Sequence, residues 1–274
     1  MRHPARPDIG NRQVHLWIVR LEASENNYAR SLSWLSPDET ARAERFRFPR
    51  HRDAFVLGRA ALRALLASYL GITAAEVRFA YGPQGKPALA PALEPSPKLE
   101  AAPKLGATPK LGATPKSDAC SLRFNASNSG DLAACAFTTG CEIGIDIEQH
   151  RALHDFENIA RRFFSPEEAG ELLELPAAEK TAAFFHCWTR KEAYIKAMGG
   201  GLSIPLDSFR VTLRPGVAAR MVSLGGSDHA ARAWTLDSFD PGTGYAGAVA
   251  YPDEPRSHRS GPIVTVDELL DYLT

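Results

Sequence analysis

The chain lacks most of what would mark a secreted, membrane-bound or nucleic-acid-binding protein. It has only four cysteines, Cys120, Cys135, Cys141 and Cys187, and no Cys-x-x-Cys spacing. A disulfide framework or thiolate metal site is therefore not expected, and a reducing cytosol is the default compartment. No run approaches the ~20 apolar residues that cross a bilayer. Met1-Arg2-His3-Pro4-Ala5-Arg6-Pro7 is not followed by an apolar segment, so no secretory signal is expected. Charge of one sign is missing too: 32 Lys and Arg balance 32 Asp and Glu. A zero net charge argues against a general nucleic-acid binder, while leaving room for a local basic cleft. What is present is an ordinary globular composition, 44% hydrophobic and 23% charged over 274 residues, enough for one large core or two smaller ones.

The chemistry concentrates in two segments. From Phe184 to Leu202, the apolar residues Phe184, Phe185, Trp188, Ile195 and Met198 recur at helical spacing and mark a buried stripe. Glu192 falls within that stripe, and an inward carboxylate must be paired or bound to a metal, because an isolated buried charge is too costly. Lys196 lies one turn further along the same edge. Upstream, Cys141-Glu142-Ile143-Gly144-Ile145-Asp146-Ile147-Glu148 alternates with period two, predicting a strand. Ile143, Ile145 and Ile147 would face the core, and Gly144, Asp146 and Glu148 the other side, where the glycine leaves room for something bulky. Carboxylates about 7 Å apart on one strand face repel unless a cation lies near them. Hard oxygen donors without His or Cys suit Mg²⁺, with a phosphate-bearing substrate completing the shell. The plainer alternatives are a solvated Asp-x-Glu face and an ordinary i,i+4 pair between Glu192 and Lys196.

Gly144-Ile145-Asp146-Ile147-Glu148, followed by Trp188-Thr189-Arg190-Lys191-Glu192-Ala193-Tyr194-Ile195-Lys196, resembles the paired signature of the 4′-phosphopantetheinyl transferases, in their monomeric surfactin-synthetase-activating type. Gly85-Lys86-Pro87, Phe124-Asn125-Ala126-Ser127-Asn128-Ser129-Gly130, Arg162-Phe163-Phe164-Ser165-Pro166-Glu167-Glu168 and Gly201-Leu202-Ser203-Ile204-Pro205-Leu206-Asp207-Ser208-Phe209 agree in order. The resemblance implies an α+β fold of two similar α/β lobes related by pseudo-twofold symmetry, with the active site in the cleft between them. It implies transfer of the phosphopantetheine arm of coenzyme A to a serine of an apo acyl or peptidyl carrier protein, with release of 3′,5′-ADP. By the same resemblance Asp146, Glu148 and Glu192 would hold Mg²⁺, and Glu192 and Lys196 would be catalytic. Arg42, Lys86, Pro87, Ser127, Asn128 and Lys196 would bind coenzyme A. Two positions depart from the pattern. Asn128 stands where most relatives have His, which exchanges a charged donor to phosphate for a neutral one. Ala54 stands where many have Arg, and Arg52 or Arg59 are candidates to compensate. A metal-dependent enzyme acting on a free nucleotide, or a carrier-binding protein without catalysis, are the alternatives.

Along the chain, residues 1–12 read as a loose tail, 13–143 as an N-terminal lobe, 144–253 as a C-terminal lobe and 254–274 as a C-terminal tail. Val14 to Leu21 reads as a strand, Ser36-Pro37-Asp38-Glu39 as a capped helix start, and Arg52 to Leu70 as a long helix stopped by Gly71. Arg59 and Arg63 share one face of it, as a functional pair or as solvated charges. Val77–Phe79 reads as a short strand. Residues 90–119, with Pro-Lys-Leu-Gly-Ala-Thr nearly repeated from Pro103 and from Pro109, form a low-complexity insertion that cannot bury enough apolar surface to order itself. Leu122–Asn125, Leu132–Thr138 and Ile143–Glu148 read as strands, the latter two as a hairpin, and four strands follow between Phe209 and Ala250. Val264–Leu273 reads as an amphipathic helix. His186 is expected to be a packing residue, His150 to lie on the surface, and Cys187 to sit in the core. A two-lobed chain with its cleft inside one polypeptide implies a monomer.

Overall fold

The computed structural model describes residues 7, 9, 10, 12–91, 122–152, 155–252 and 255–273. The low-complexity insertion lies almost wholly outside the described residues, as does most of the expected N-terminal tail. Of that tail, Ile9 packs against the core beneath the first strand.

Period-two alternation makes β1 (Gln13–Arg20) two-faced: Val14, Leu16 and Ile18 enter one core, Trp17 and Val19 another. Helices α1 (Glu25–Trp34) and α2 (Pro37–Glu44) follow, the second opened by a capping box between Ser36 and Glu39. Helix α3 (Pro49–Leu70) starts on proline and stops at left-handed Gly71, φ 71°. A small hairpin, β2 (Phe79–Tyr81) and β3 (Pro87–Leu89), precedes β4 (Leu122–Ser129), β5 (Leu132–Thr139) and β6 (Gly144–Gln149). Helices α4 (Phe156–Phe163), α5 (Pro166–Glu174) and α6 (Ala177–Met198) come next, and α6 ends at left-handed Gly199. The remainder is β7 (Phe209–Val211), β8 (Met221–Leu224), α7 (Asp228–Ala231), β9 (Trp234–Phe239), β10 (Tyr245–Pro252), β11 (Ser257–Ser260), β12 (Val264–Thr265) and α8 (Val266–Tyr272).

This mixed α/β architecture has two main sheets. The first runs β11-β1-β5-β4, with β12 also on β1, and the second runs β6-β10-β9. Three buried clusters set the layer order. One lies between α3 and the first sheet, one between the two sheets, and one between the second sheet and α6. Ile143, Ile145 and Ile147 face the middle cluster, as the alternation predicts, so Gly144, Asp146 and Glu148 face α6.

Several expectations need correction. β5 pairs with β4 and β1, and β6 pairs with β10, so β5 and β6 are not a hairpin. The turn that closes a hairpin is at Gly130, whose φ of 59° suits a tight reversal. The short strand begins at Phe79, because Ala74–Glu76 forms a 3₁₀ turn before it. Residues beyond 254 are not a tail: β11 and β12 run parallel to β1, and α8 buries Val266, Leu269 and Leu270 in the α3 core. Met198, expected in the buried stripe of α6, is half exposed beside the helix stop. Arg63 and Arg59 are neither solvated nor a free pair. Glu39 is buried against both, 2.7 Å from Arg63 and 3.0 Å from Arg59. Cys187 is fully buried, as is Cys135, and both are free thiols. No helix among the described residues is long and apolar enough to cross a membrane.

Candidate active site

The acidic residues of β6 meet α6 because Gly144 lets them. A β-carbon on Gly144 would collide with the Ala193 carbonyl and the Ala197 amide of α6. The bulky neighbour anticipated opposite this glycine is therefore the helix itself, drawn close enough for Lys196 to reach across. Lys196 Nζ lies 2.6 Å from Asp146 Oδ1 and 3.0 Å from Ser127 Oγ, and Ser127 Oγ donates to the same Asp146 oxygen at 2.7 Å. Lys196 thus takes Asp146, not Glu192, as its hydrogen-bonded acid. The other Asp146 oxygen, Oδ2, is buried without a hydrogen-bond partner.

Strand β4 supplies a second row. Its free edge lies beside β6, and the link is made by side chains at period two. Asn125 Oδ1 accepts the Ile145 N–H at 2.9 Å. Ser129 Oγ donates to Glu148 at 2.7 Å and accepts the Gln149 N–H at 3.1 Å. Asn125 and Ser129 were not singled out as site residues from sequence alone. The signal was present, since polar residues alternating at 125, 127 and 129 match acids alternating at 146 and 148.

Burial pushes the carboxyls of Asp146, Glu148 and Glu192 above their usual range. For Asp146 the Lys196 charge opposes the shift, and for Glu192 it does the same while the charges of Asp146 and Glu148 add to it. Three mutually repelling acids and one orphaned buried oxygen have the hard-oxygen chemistry a divalent cation takes. As they stand, however, no three His, Cys, Asp or Glu side chains among the described residues are close enough together to hold a metal ion, so a cation would have to draw the acids together.

Two cavities flank this centre. One of about 210 Å³ is lined by Arg42, Ala54, Phe55, Arg59, Ser127 and Asn128. The other, about 270 Å³, is lined by Gln84, Lys86, Asn125, Glu192, Ile195 and Lys196, and Gly85, Pro87 and Ala126 line both. Arg42 and Arg59 both stack near the Phe55 ring, at 5.2 and 5.9 Å, giving the first cavity a cationic rim on an aromatic wall. Arg59 borders the cavity beside Ala54, whereas Arg52 is exposed and paired with Asp53. The Lys86 ammonium does not point freely into either space, being held by Glu142 and two carbonyls. His186 is half-buried on α6, and His150, expected on the surface, is partly covered by stacking on Phe185 at 5.2 Å.

The same residues organise the similarity to known proteins. Residues 142–250 match the family described as the 4′-phosphopantetheinyl transferase superfamily, and residues 20–140 match 4′-phosphopantetheinyl transferase, N-terminal. The 4′-phosphopantetheinyl transferase HetI of Nostoc sp. (strain PCC 7120) is 37% identical over 87% of this chain and 87% of its own. The chain belongs to the 4′-phosphopantetheinyl transferase superfamily. Sfp of Bacillus subtilis (strain 168), also named a 4′-phosphopantetheinyl transferase, is 31% identical over 90% of this chain and 95% of its own. The resemblance carried by the Asp146 and Glu192 segments thus extends over nearly the whole length of a family member, and this chain is placed in that enzyme class.

Proposed function

We propose that the protein transfers the 4′-phosphopantetheine arm of coenzyme A to a serine of an apo acyl or peptidyl carrier protein in the cytosol, releasing 3′,5′-ADP. The observation that carries the site assignment is Asp146: a buried carboxylate with Lys196 and Ser127 on one oxygen and nothing on the other, beside the charges of Glu148 and Glu192. Asp146, Glu148 and Glu192, drawn closer than they stand here, would hold Mg²⁺, which would supply positive charge against the pyrophosphate. Lys196, partly exposed and already at the acid row, offers its ammonium to the phosphates. Arg42, Ser127, Asn128 and the Lys86-Pro87 loop frame the nucleotide, with Arg59 occupying the position a cation at residue 54 would serve.

In the transfer, the serine oxygen attacks the β-phosphorus, the bond to the bridging oxygen breaks, and that oxygen leaves on 3′,5′-ADP. Glu192 is suited to take the serine proton because burial lifts its carboxyl above the usual range, nearer to working pH. Two lobes related by a pseudo-twofold axis, with the cleft between them, are supported by a repeated device. In each half a Ser-Pro-x-Glu capping box, at Ser36 and at Ser165, presents its glutamate to a buried cation at the same depth in a 22-residue helix. A cleft complete within one chain fits a monomer.

Coenzyme A consumption, followed by chromatography with and without an apo carrier in the presence of Mg²⁺, tests this reading. Consumption is expected only with the carrier. Turnover without it would favour the free-nucleotide enzyme, and carrier binding without turnover the non-catalytic homologue.

A further inference from the structure

The Gly82–Lys86 turn joins β2 to β3, and Gly85 within it and Pro87 just after it line both cavities. Its lysine does something other than reach for an anion. Lys86 Nζ has three hydrogens and three acceptors: Glu142 Oε2 at 2.8 Å, the Ile143 carbonyl at 3.2 Å and the Ala197 carbonyl at 3.1 Å. The first two lie in the segment leading into β6, and the third is in the last turn of α6, where orphan carbonyls and the helix dipole favour a cation. The stem of Lys86 runs along the stop of α6, within ordinary contact of where a Gly199 β-carbon would be. Glu142 is itself shared with Arg123 of β4, at 3.5 Å. An ammonium whose donors are all matched is a poor phosphate ligand, since each new contact would cost one already made.

We infer that Lys86 is a positioning residue, a latch that fastens the shared cavity wall at Gly85 and Pro87 to the β6 and α6 elements bearing Asp146, Glu192 and Lys196. The nucleotide end of the site and the acidic end are thereby held in one register through Lys86 and Glu142. This rests on the reading of the two cavities as the coenzyme A cleft.

Glu142 makes the test sharp, because the latch and a direct Lys86–phosphate contact call for opposite signs. If Lys86 bound phosphate, Glu142→Gln would release the ammonium, remove a repelling acid and tighten coenzyme A. The latch instead expects Glu142→Gln to weaken coenzyme A by about threefold and Lys86→Met by about tenfold, within the range of one net hydrogen bond. Titration calorimetry with coenzyme A reads this directly. In steady state, Lys86→Met should raise the KM for coenzyme A with kcat and the KM for carrier near wild type, and Lys86→Arg should recover part of the loss; a general folding defect would move all of them together. Amide hydrogen exchange on the ligand-free proteins gives an arm independent of substrate. Exchange from Phe79 to Leu89 should quicken in Lys86→Met and Glu142→Gln while α3 stays protected. Unchanged exchange there, or tighter coenzyme A binding by Glu142→Gln, overturns the latch. A wild-type protein that binds no coenzyme A overturns the functional reading, and the exchange arm then decides the latch alone.

Discussion

Lys191 and Lys196 lie little more than one turn apart on α6, and each pairs with a buried acid, yet the two pairs are built for different ends. Lys191 is 0% exposed, 2.8 Å from Glu168, and also donates to the Leu206 and Phe209 carbonyls at 2.7 and 2.6 Å. Glu168 is as fully used: it accepts from the Ser165 and Val211 amides. Nothing is left over for a ligand. Lys196 is 28% exposed, and its acid Asp146 keeps one buried oxygen without a partner. A saturated pair holds α5, α6 and β7 together, whereas an unsaturated one at a cavity wall has capacity to spare for chemistry. Adjacent charges in one motif are thus told apart by whether their hydrogen-bonding capacity is spent, which spacing alone cannot reveal.

The sharpest way to break this contrast is to remove Lys191. Lys191→Met should cost about 3–5 kcal/mol, because Glu168 is left buried and unpaired, and urea unfolding would show it. Adding Glu168→Gln should restore part of that stability; a Lys191→Met protein as stable as wild type would mean the pair is not structural. At the other pole, Glu192→Gln should lower kcat by about 10²–10⁴-fold, the range for loss of a positioned proton acceptor, with the melting temperature little changed. Lys196→Met should follow, lowering kcat/KM for coenzyme A by roughly 10- to 100-fold, as expected for one lost charge-assisted hydrogen bond to a phosphate. If Lys196→Met instead unfolded the protein as Lys191→Met does, the two lysines would be alike after all.

The smallest effect concerns pH. Asp146, Glu148 and Glu192 are all raised, so between the ordinary carboxylate range and their raised values the folded protein keeps protons that the unfolded chain has lost. In that window these acids make stability fall as pH rises. Asp146→Asn should flatten part of that fall relative to wild type, and divalent cation should offset it most at the higher pH, where the carboxylates are charged. Urea titrations of both proteins across pH, with and without Mg²⁺, would read the difference. An identical pH slope in the two proteins would remove Asp146 from the acidic centre.

Much of the fold was legible in the sequence where a local rule acts alone. The capped helix start at Ser36, the helix stop at Gly71 and the two-faced alternation of Ile143 to Glu148 are each set by nearest neighbours. That Asp146, Glu148 and Glu192 would be drawn toward one another was legible for a similar reason, since a carboxylate that a strand or helix period turns inward must find a cation or a hydrogen-bond donor there. What escaped were long-range choices. β6 pairs with β10 rather than β5, and the last residues return to β1, because only the assembled sheets offer those edges. Lys196 reaches Asp146 across a gap that Gly144 closes, and Arg63 sinks onto Glu39 of the preceding helix, a pairing 24 residues apart. Asn125 and Ser129 gained meaning only once β4 lay beside β6.

The most direct test of the acidic centre is the intact mass of an apo carrier protein after incubation with coenzyme A and Mg²⁺, using wild type, Asp146→Asn and wild type with EDTA. The expected result is a gain of one phosphopantetheine on the carrier serine with wild type alone. A folded wild type that adds nothing to any class of carrier, or a full gain with Asp146→Asn or in EDTA, would contradict the assignment of the acidic centre as the site of a metal-dependent transfer.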